Sequence, residues 1–183
     1  MNATARNLKR FRDERALVSI RRDGIDDQSI QGFVVAFSGT LLLLQYIYDF
    51  HLDGRLLLRA ADITAIKATA TDEFQKELLV EEGDFDKIDF SCNPPISSYD
   101  VFLRSLPQNE IVILEDEAAD DPVFIIGTLI SVDERQVSVR YFTGAANWKK
   151  EASIIEIDRI TSCQTDTNYI NFYARHFSRT GVL

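Results

Sequence analysis

The chain has little of what usually announces a chemistry. Its 183 residues include two cysteines, two histidines, one tryptophan and four prolines. Cys92 and Cys163 lie far apart, in no CxxC pair and with no histidine nearby, which argues against a disulfide framework or a zinc site. His51 falls in DFHLDGR, where Asp53-Gly54 accounts for a turn without any catalytic role. There is no phosphate-binding GxxxxGK[ST] loop, no HExxH, no GxSxG and no dinucleotide fingerprint. The acids of 115–121 lack the ordered spread of oxygen ligands that calcium needs. The expectation is a non-enzymatic protein that uses no cofactor. No run approaches the ~18 apolar residues of a membrane span. The opening MNATARNLKRFRDER has no apolar stretch behind its charges. A cytoplasmic protein that does not enter a membrane is expected.

Positive charge is also scarce overall. The net charge is -9, which opposes a general affinity for nucleic acid, because phosphate binding rests on clustered Lys and Arg. The charges are unevenly spread. Residues 1–22 carry Arg6, Lys9, Arg10, Arg12, Arg15, Arg21 and Arg22 against Asp13 and Glu14. Residues 72–89 carry eight acids against Lys76 and Lys87. Two such stretches read first as solvated faces that also complement each other.

What is present in quantity is β-branched, aromatic and leucine-rich sequence punctuated by turn residues. Leu8 and Phe11, three apart among charges, predict a short basic helix over 4–15. Strands are expected over 16–21, 31–37, 40–48, 55–59 and 62–68, with Ser38-Gly39 and Asp53-Gly54 as turns. A second helix is expected over 99–106, capped by Ser97 or Ser98 and ended by Pro107. Strands then follow over 110–114, 123–132, 136–142 and 157–163, and 168–177 reads as a strand or a closing helix. The order repeats. Val18 matches Val112, Ile63 matches Ile157, Ile66 matches Ile160 and Thr71-Asp72 matches Thr165-Asp166, all at an offset of 94, while Gly32 matches Gly127 at 95. The chain reads as one unit written twice, with the boundary inside 81–98, giving domains 1–85 and 86–183.

The repeated stretch GTLISVDERQVSV (127–139) resembles the first half of the Sm sequence pattern, through Gly127, Thr128, Leu129, Val132 and Asp133. Residues 59–66, RAADITAI, resemble its second half, Arg-Gly-x-x-Ile-x-x-Ile, with Ala60 in place of glycine. The resemblance is to the Sm-like (LSm) form of the SH3-like barrel. It implies a mainly β chain of two tandem five-stranded barrels, each preceded by a short helix. It also implies a base pocket built from the loop Asp, the Asn after it and the Arg-Gly pair. That pocket is incomplete here. Val137 and Leu42 stand at the Asn position, Ser38 replaces Asp in the first half, and Ser153-Ile154 replace Arg-Gly in the second. Only Asp133 and Arg59 remain, one in each half, and an apolar side chain cannot read a base edge.

Two surface features are candidates for binding. One is the basic helix, through Arg6, Lys9, Arg10 and Arg12. The other is the stretch around Trp148, Lys149 and Lys150, where Trp148 reads first as a core or barrel-end residue and second as an exposed anchor. The leading expectation is an interaction module that docks a protein partner through an acidic surface, of adaptor or immunity/inhibitor type. The alternative is a divergent RNA- or DNA-binding regulator using the basic helix. Edge strands left unpaired by single barrels suggest an obligate pseudo-dimer within the chain, or half of a homo-oligomeric ring.

Overall fold

The structure, a computed structural model, describes residues 3–181. Its elements in chain order are α1 (Ala3–Asp13), β1 (Leu17–Arg22), β2 (Asp26–Phe37), β3 (Leu41–Tyr48), β4 (His51–Arg59), β5 (Ala65–Lys67) and α2 (Ala70–Glu81). After a connection come α3 (Tyr99–Arg104), β6 (Ile111–Asp116), β7 (Val123–Val132), β8 (Gln136–Tyr141), β9 (Ser153–Glu156), β10 (Ser162–Thr165) and α4 (Asn168–Thr180). The chain is mainly β, as expected. Its ten strands form a single open sheet in the order β5-β1-β2-β3-β4-β10-β6-β7-β8-β9, every neighbour antiparallel. The sheet is continuous through the middle of the chain, so its strand pairing does not separate into two barrels.

Each half of that order is the other half again: β5-β1-β2-β3-β4, then β10-β6-β7-β8-β9. The registers agree residue by residue. Val18 faces Gly32 as Val112 faces Gly127. The long strand slips register between Val34 and Ala36 in one half and between Leu129 and Ser131 in the other. Both glycines are required by a close crossing: a Cβ on Gly32 would lie 2.6 Å from the Gln45 carbonyl oxygen, and on Gly127 2.0 Å from that of Arg140.

The later matches need correction. Val137 pairs with Ile155 as Leu42 pairs with Leu58, so from this strand onward the offset is 97. Ile63 therefore corresponds to Ile160 and Ile66 to Cys163, and Thr71-Asp72 have no counterpart in Thr165-Asp166. Arg59 corresponds to Glu156, not Ser153. The cause is the path from Val137 to Ile155, two residues longer than the one from Leu42 to Leu58, which turns tightly at Asp49 and Phe50 with φ of 47° and 63°.

Alternation along β3 and β4 explains how the halves share a core. Leu42, Leu44, Leu56 and Leu58 point one way, onto Leu8 and Phe11 of α1 and onto Val18 and Ile20. Leu41, Leu43 and Leu57 point the other way, into the second half's core of Tyr99, Phe102, Val112, Val137, Ile160 and Cys163. The outer face of the first half thus closes the core of the second. The connection after α2 returns to the first half, where Phe85, Ile88 and Phe90 pack with Leu17, Phe33 and Leu79.

Three local details differ from expectation. The segment 157–163 is not one strand: a 3-10 turn at Ile157–Arg159 separates β9 from β10. The acidic run includes a helix, α2, which starts with a reciprocal cap: the Thr69 hydroxyl accepts from the Asp72 amide at 3.2 Å, and Asp72 Oδ2 accepts from the Thr69 amide at 2.8 Å. Ser98 does precede α3, but its hydroxyl bonds the Asp100 carboxylate instead of a first-turn amide. The closing segment 168–177 is helical, in α4.

Candidate interaction surfaces

The candidate residues are distributed over four places. Leu8 and Phe11 seat α1 on the first half and leave Arg6, Lys9 and Arg10 exposed. Arg12 is half-buried, with its guanidinium 5.3 Å from the Phe37 ring centroid. Asp13 pairs with Lys9 and, at 3.3 Å, with Arg12. The cationic face is therefore partly neutralised by its own helix.

Asp133 sits in the β7–β8 turn. Its Oδ1 accepts from the amides of Arg135 at 2.8 Å and Gln136 at 2.9 Å. Those amide bonds hold its carboxyl below the usual range. Ser38 does the same work in the first half, its Oγ accepting from Thr40 at 3.1 Å and Leu41 at 2.9 Å. The residue at this position shapes a turn in both halves.

Trp148 is half-buried, its ring 5.0 Å from Phe142 and 4.9 Å from Phe177, with the Arg140 guanidinium 4.6 Å from its centroid. It closes the cluster under α4, while Lys149 and Lys150 remain exposed beside it. Its indole Nε1 is buried without a hydrogen-bond partner.

Arg59 lies where the two halves meet. Its Nε donates to Asp62 at 3.0 Å and its Nη1 to the Asp158 carbonyl at 2.6 Å. Around it the junction holds polar groups that no short-range pattern announces. Arg22, 2% exposed, forms a two-pronged pair with Glu117, at 2.7 and 2.8 Å. Burial works against the charged guanidinium, but Glu117 and Asp26 outweigh it and keep Arg22 above its ordinary pKa. The Tyr99 hydroxyl lies 3.2 Å from the Leu57 carbonyl and 3.1 Å from that of Thr161, one from each half. Glu115 accepts from Ser162 at 2.5 Å and from Gln164 at 3.0 Å, and burial pushes its carboxyl up.

The acidic surface centres on α2. Glu73, Glu77 and Glu81 are exposed on the helix, with the large apolar side chains Phe74 and Val80 exposed beside them. Asp72 is the exception. It is buried and accepts from Ser19 at 2.7 Å and Gln31 at 2.9 Å, which fixes α2 to β1 and β2. Burial alone would raise this carboxyl, and the hydrogen bonds outweigh that and lower it. The Thr69-x-x-Asp72 spacing was the sequence signal for this helix start.

His51 is exposed, and Cys163 is a buried core residue whose thiol burial pushes upward. The Arg55 guanidinium donates to the sulfur of Cys92 at 2.8 Å. Among the described residues no three His, Cys, Asp or Glu side chains are grouped to hold a metal ion, and no helix is long and apolar enough to cross a membrane. No protein-family model matches the chain, and neither a curated protein nor a solved structure matches it.

Proposed function

We propose that the chain is a non-enzymatic interaction module of two tandem Sm-like units, which docks a protein partner through the acidic face of α2. The Sm-like reading is supported by a helix followed by five strands in each half, by the shared strand order, and by the register slip that bends β2 and β7 at one common point. The docking reading rests on one observation: Phe74 and Val80 stand exposed on a helix whose other exposed positions include Glu73, Glu77 and Glu81. Spaced four apart, the three glutamates form one acidic stripe, with Phe74 and Val80 about 120° apart on its two sides, so the face offers charge first and apolar contact at its margins. The partner's complementary surface is basic.

The nucleic-acid reading has less behind it. Of its four cations, Arg12 lies over Phe37, and Lys9 shares Asp13 with it. Leu42 and Val137, where a base-reading amide would sit, are both fully buried.

The test is affinity capture with the intact chain and with a Glu73→Lys/Glu77→Lys/Glu81→Lys variant, each followed by a salt wash. A partner retained by the first and lost from the second is the expected result. Anisotropy of a labelled single-stranded RNA, at low and then physiological salt, checks the other reading. Micromolar binding that weakens steeply with salt and disappears when Arg6, Lys9, Arg10 and Arg12 become alanine would replace the acidic-helix proposal.

A further inference from the structure

The β3–β4 hairpin holds a residue that its own turn does not favour. Tyr48 pairs with His51, so Asp49 and Phe50 alone make the turn, and both have positive φ. That is the geometry of a type I′ turn, whose second place suits glycine. Aspartate tolerates the left-handed conformation, but a bulky side chain there is strained. Phe50 gains no core position in return. It is 51% exposed and stands outside the nearby cluster of Leu17, Phe33, Leu79 and Ile88. Strain of this kind gathers at ligand clamps and binding sites.

What Phe50 does meet is α2. Together with Leu78, Leu79 and Glu82 it lines a notch of about 200 Å³. Three of the four lining residues are apolar, and the fourth, Glu82, is exposed. Small-molecule sites occupy about 300–1,000 Å³, so the notch suits a single large side chain better than a free ligand.

The notch continues a surface that α2 arranges in rows. Residues four apart lie one above the other on a helix face. Glu73, Glu77 and Glu81 form the acidic row, and Phe74, Leu78 and Glu82 form the row beside it. The exposed Phe74 therefore leads along its row to the notch at Leu78. The opposite margin is different. Val80 shares its row with Lys76, whose Nζ lies 5.2 Å from the Phe85 ring centroid. A positive charge there opposes a basic partner, so the usable apolar contact is on the Phe74 side.

We infer that α2 and the β3–β4 turn together dock a basic amphipathic helix of a partner protein. Its Lys or Arg side chains lie on the acidic row, and one large apolar side chain seats in the notch against Phe50. A helix repeats its side chains every four residues at about 6 Å, the same interval as the glutamates. The docking rests on the acidic-face reading, which supplies the charge. The notch supplies the register, because a row of equal charges accepts several placements and a single apolar anchor accepts one. Glycine at position 50 would relax the turn and remove one wall of that anchor site.

Fluorescence anisotropy of a labelled synthetic peptide, titrated with the intact chain, tests it. The peptide is an amphipathic helix with lysine at every fourth residue of one row and a single leucine in the next. It is expected to bind the wild-type chain. Phe50→Gly is expected to weaken that binding at least about tenfold, with a melting temperature at or above wild type, because the turn geometry is glycine's own. A peptide with alanine for its leucine loses a similar factor, and loses little more when paired with Phe50→Gly, since both changes remove one contact. Binding that ignores Phe50→Gly and the alanine peptide, but is lost from the Glu73→Lys/Glu77→Lys/Glu81→Lys variant, overturns the notch and keeps the acidic face. Binding that survives the charge reversal overturns the acidic face and this docking with it. A wild-type chain that does not bind the peptide, or a Phe50→Gly variant that melts well below wild type, overturns the inference and leaves the acidic face to its own capture test.

Discussion

The middle of the sheet and its two ends are built from the same strands, yet only the middle is sealed. At the β4–β10 junction, apolar side chains from both halves interlock and a buried Arg22–Glu117 pair adds a polar clamp. At the ends, the corresponding isoleucines face solvent, and the β3 leucines that line the junction have polar counterparts on β8. Within the chain, the difference between the junction and the ends lies behind the edge and not in it.

The sharpest way to break this contrast is to truncate matched residues. Leu57→Ala removes a fully buried side chain at the junction and is expected to cost about 3 to 4 kcal/mol. Ile154→Ala, its counterpart, is expected to cost under about 0.5 kcal/mol in the single chain. Urea denaturation of both measures the difference; equal losses would mean that the two edges are not distinct. Glu117→Ala comes next. It leaves Arg22 buried with only Asp26 at 3.7 Å, for an expected loss of about 2 to 3 kcal/mol, placed at the low end for a buried pair because Glu117 is partly exposed. Glu115→Gln is the smallest. The folded chain holds the Glu115 proton more tightly than the unfolded chain, so wild-type stability falls as pH rises through the window between the two values. The glutamine variant lacks that fall. It should match or slightly exceed wild type at neutral pH, with the gap closing in acid, as thermal melts across pH would record.

Much of this architecture can be read from the sequence, with one instructive slip. Val18 and Gly32 recur as Val112 and Gly127 at offsets of 94 and 95 because the same cross-strand pair joins them in both halves and the path between them differs by a single residue. The IxxI segments do not keep these offsets. Both halves carry isoleucines three apart, Ile63/Ile66 and Ile157/Ile160, so a shift of three still superimposes one isoleucine on another. A periodic motif cannot report a slip equal to its own period. Helix α2 escaped for a different reason. Only Asp72 and Leu79 are buried in it, so it lacks the apolar stripe that marks most helices, and its anchor is a hydrogen-bonded carboxylate. The candidate site residues were legible as charged or aromatic side chains, but not their placement. Trp148 is taken up by the aromatic cluster and Arg59 by the junction. Arg22 and Glu117 meet only because β10 inserts between β4 and β6, and no local pattern encodes that insertion.

That insertion also orders events in time. β10, one of the last strands to be synthesised, is the one that covers β4 in the centre of the sheet. At typical translation rates of about 5–20 residues per second, the roughly 100 residues between β4 and β10 take on the order of 5 to 20 s to appear. During that interval the nascent first half presents an uncovered leucine-rich edge and an uncovered outer face. Exchange of β10 between chains is therefore the misassembly to expect of this topology when synthesis stalls within that window.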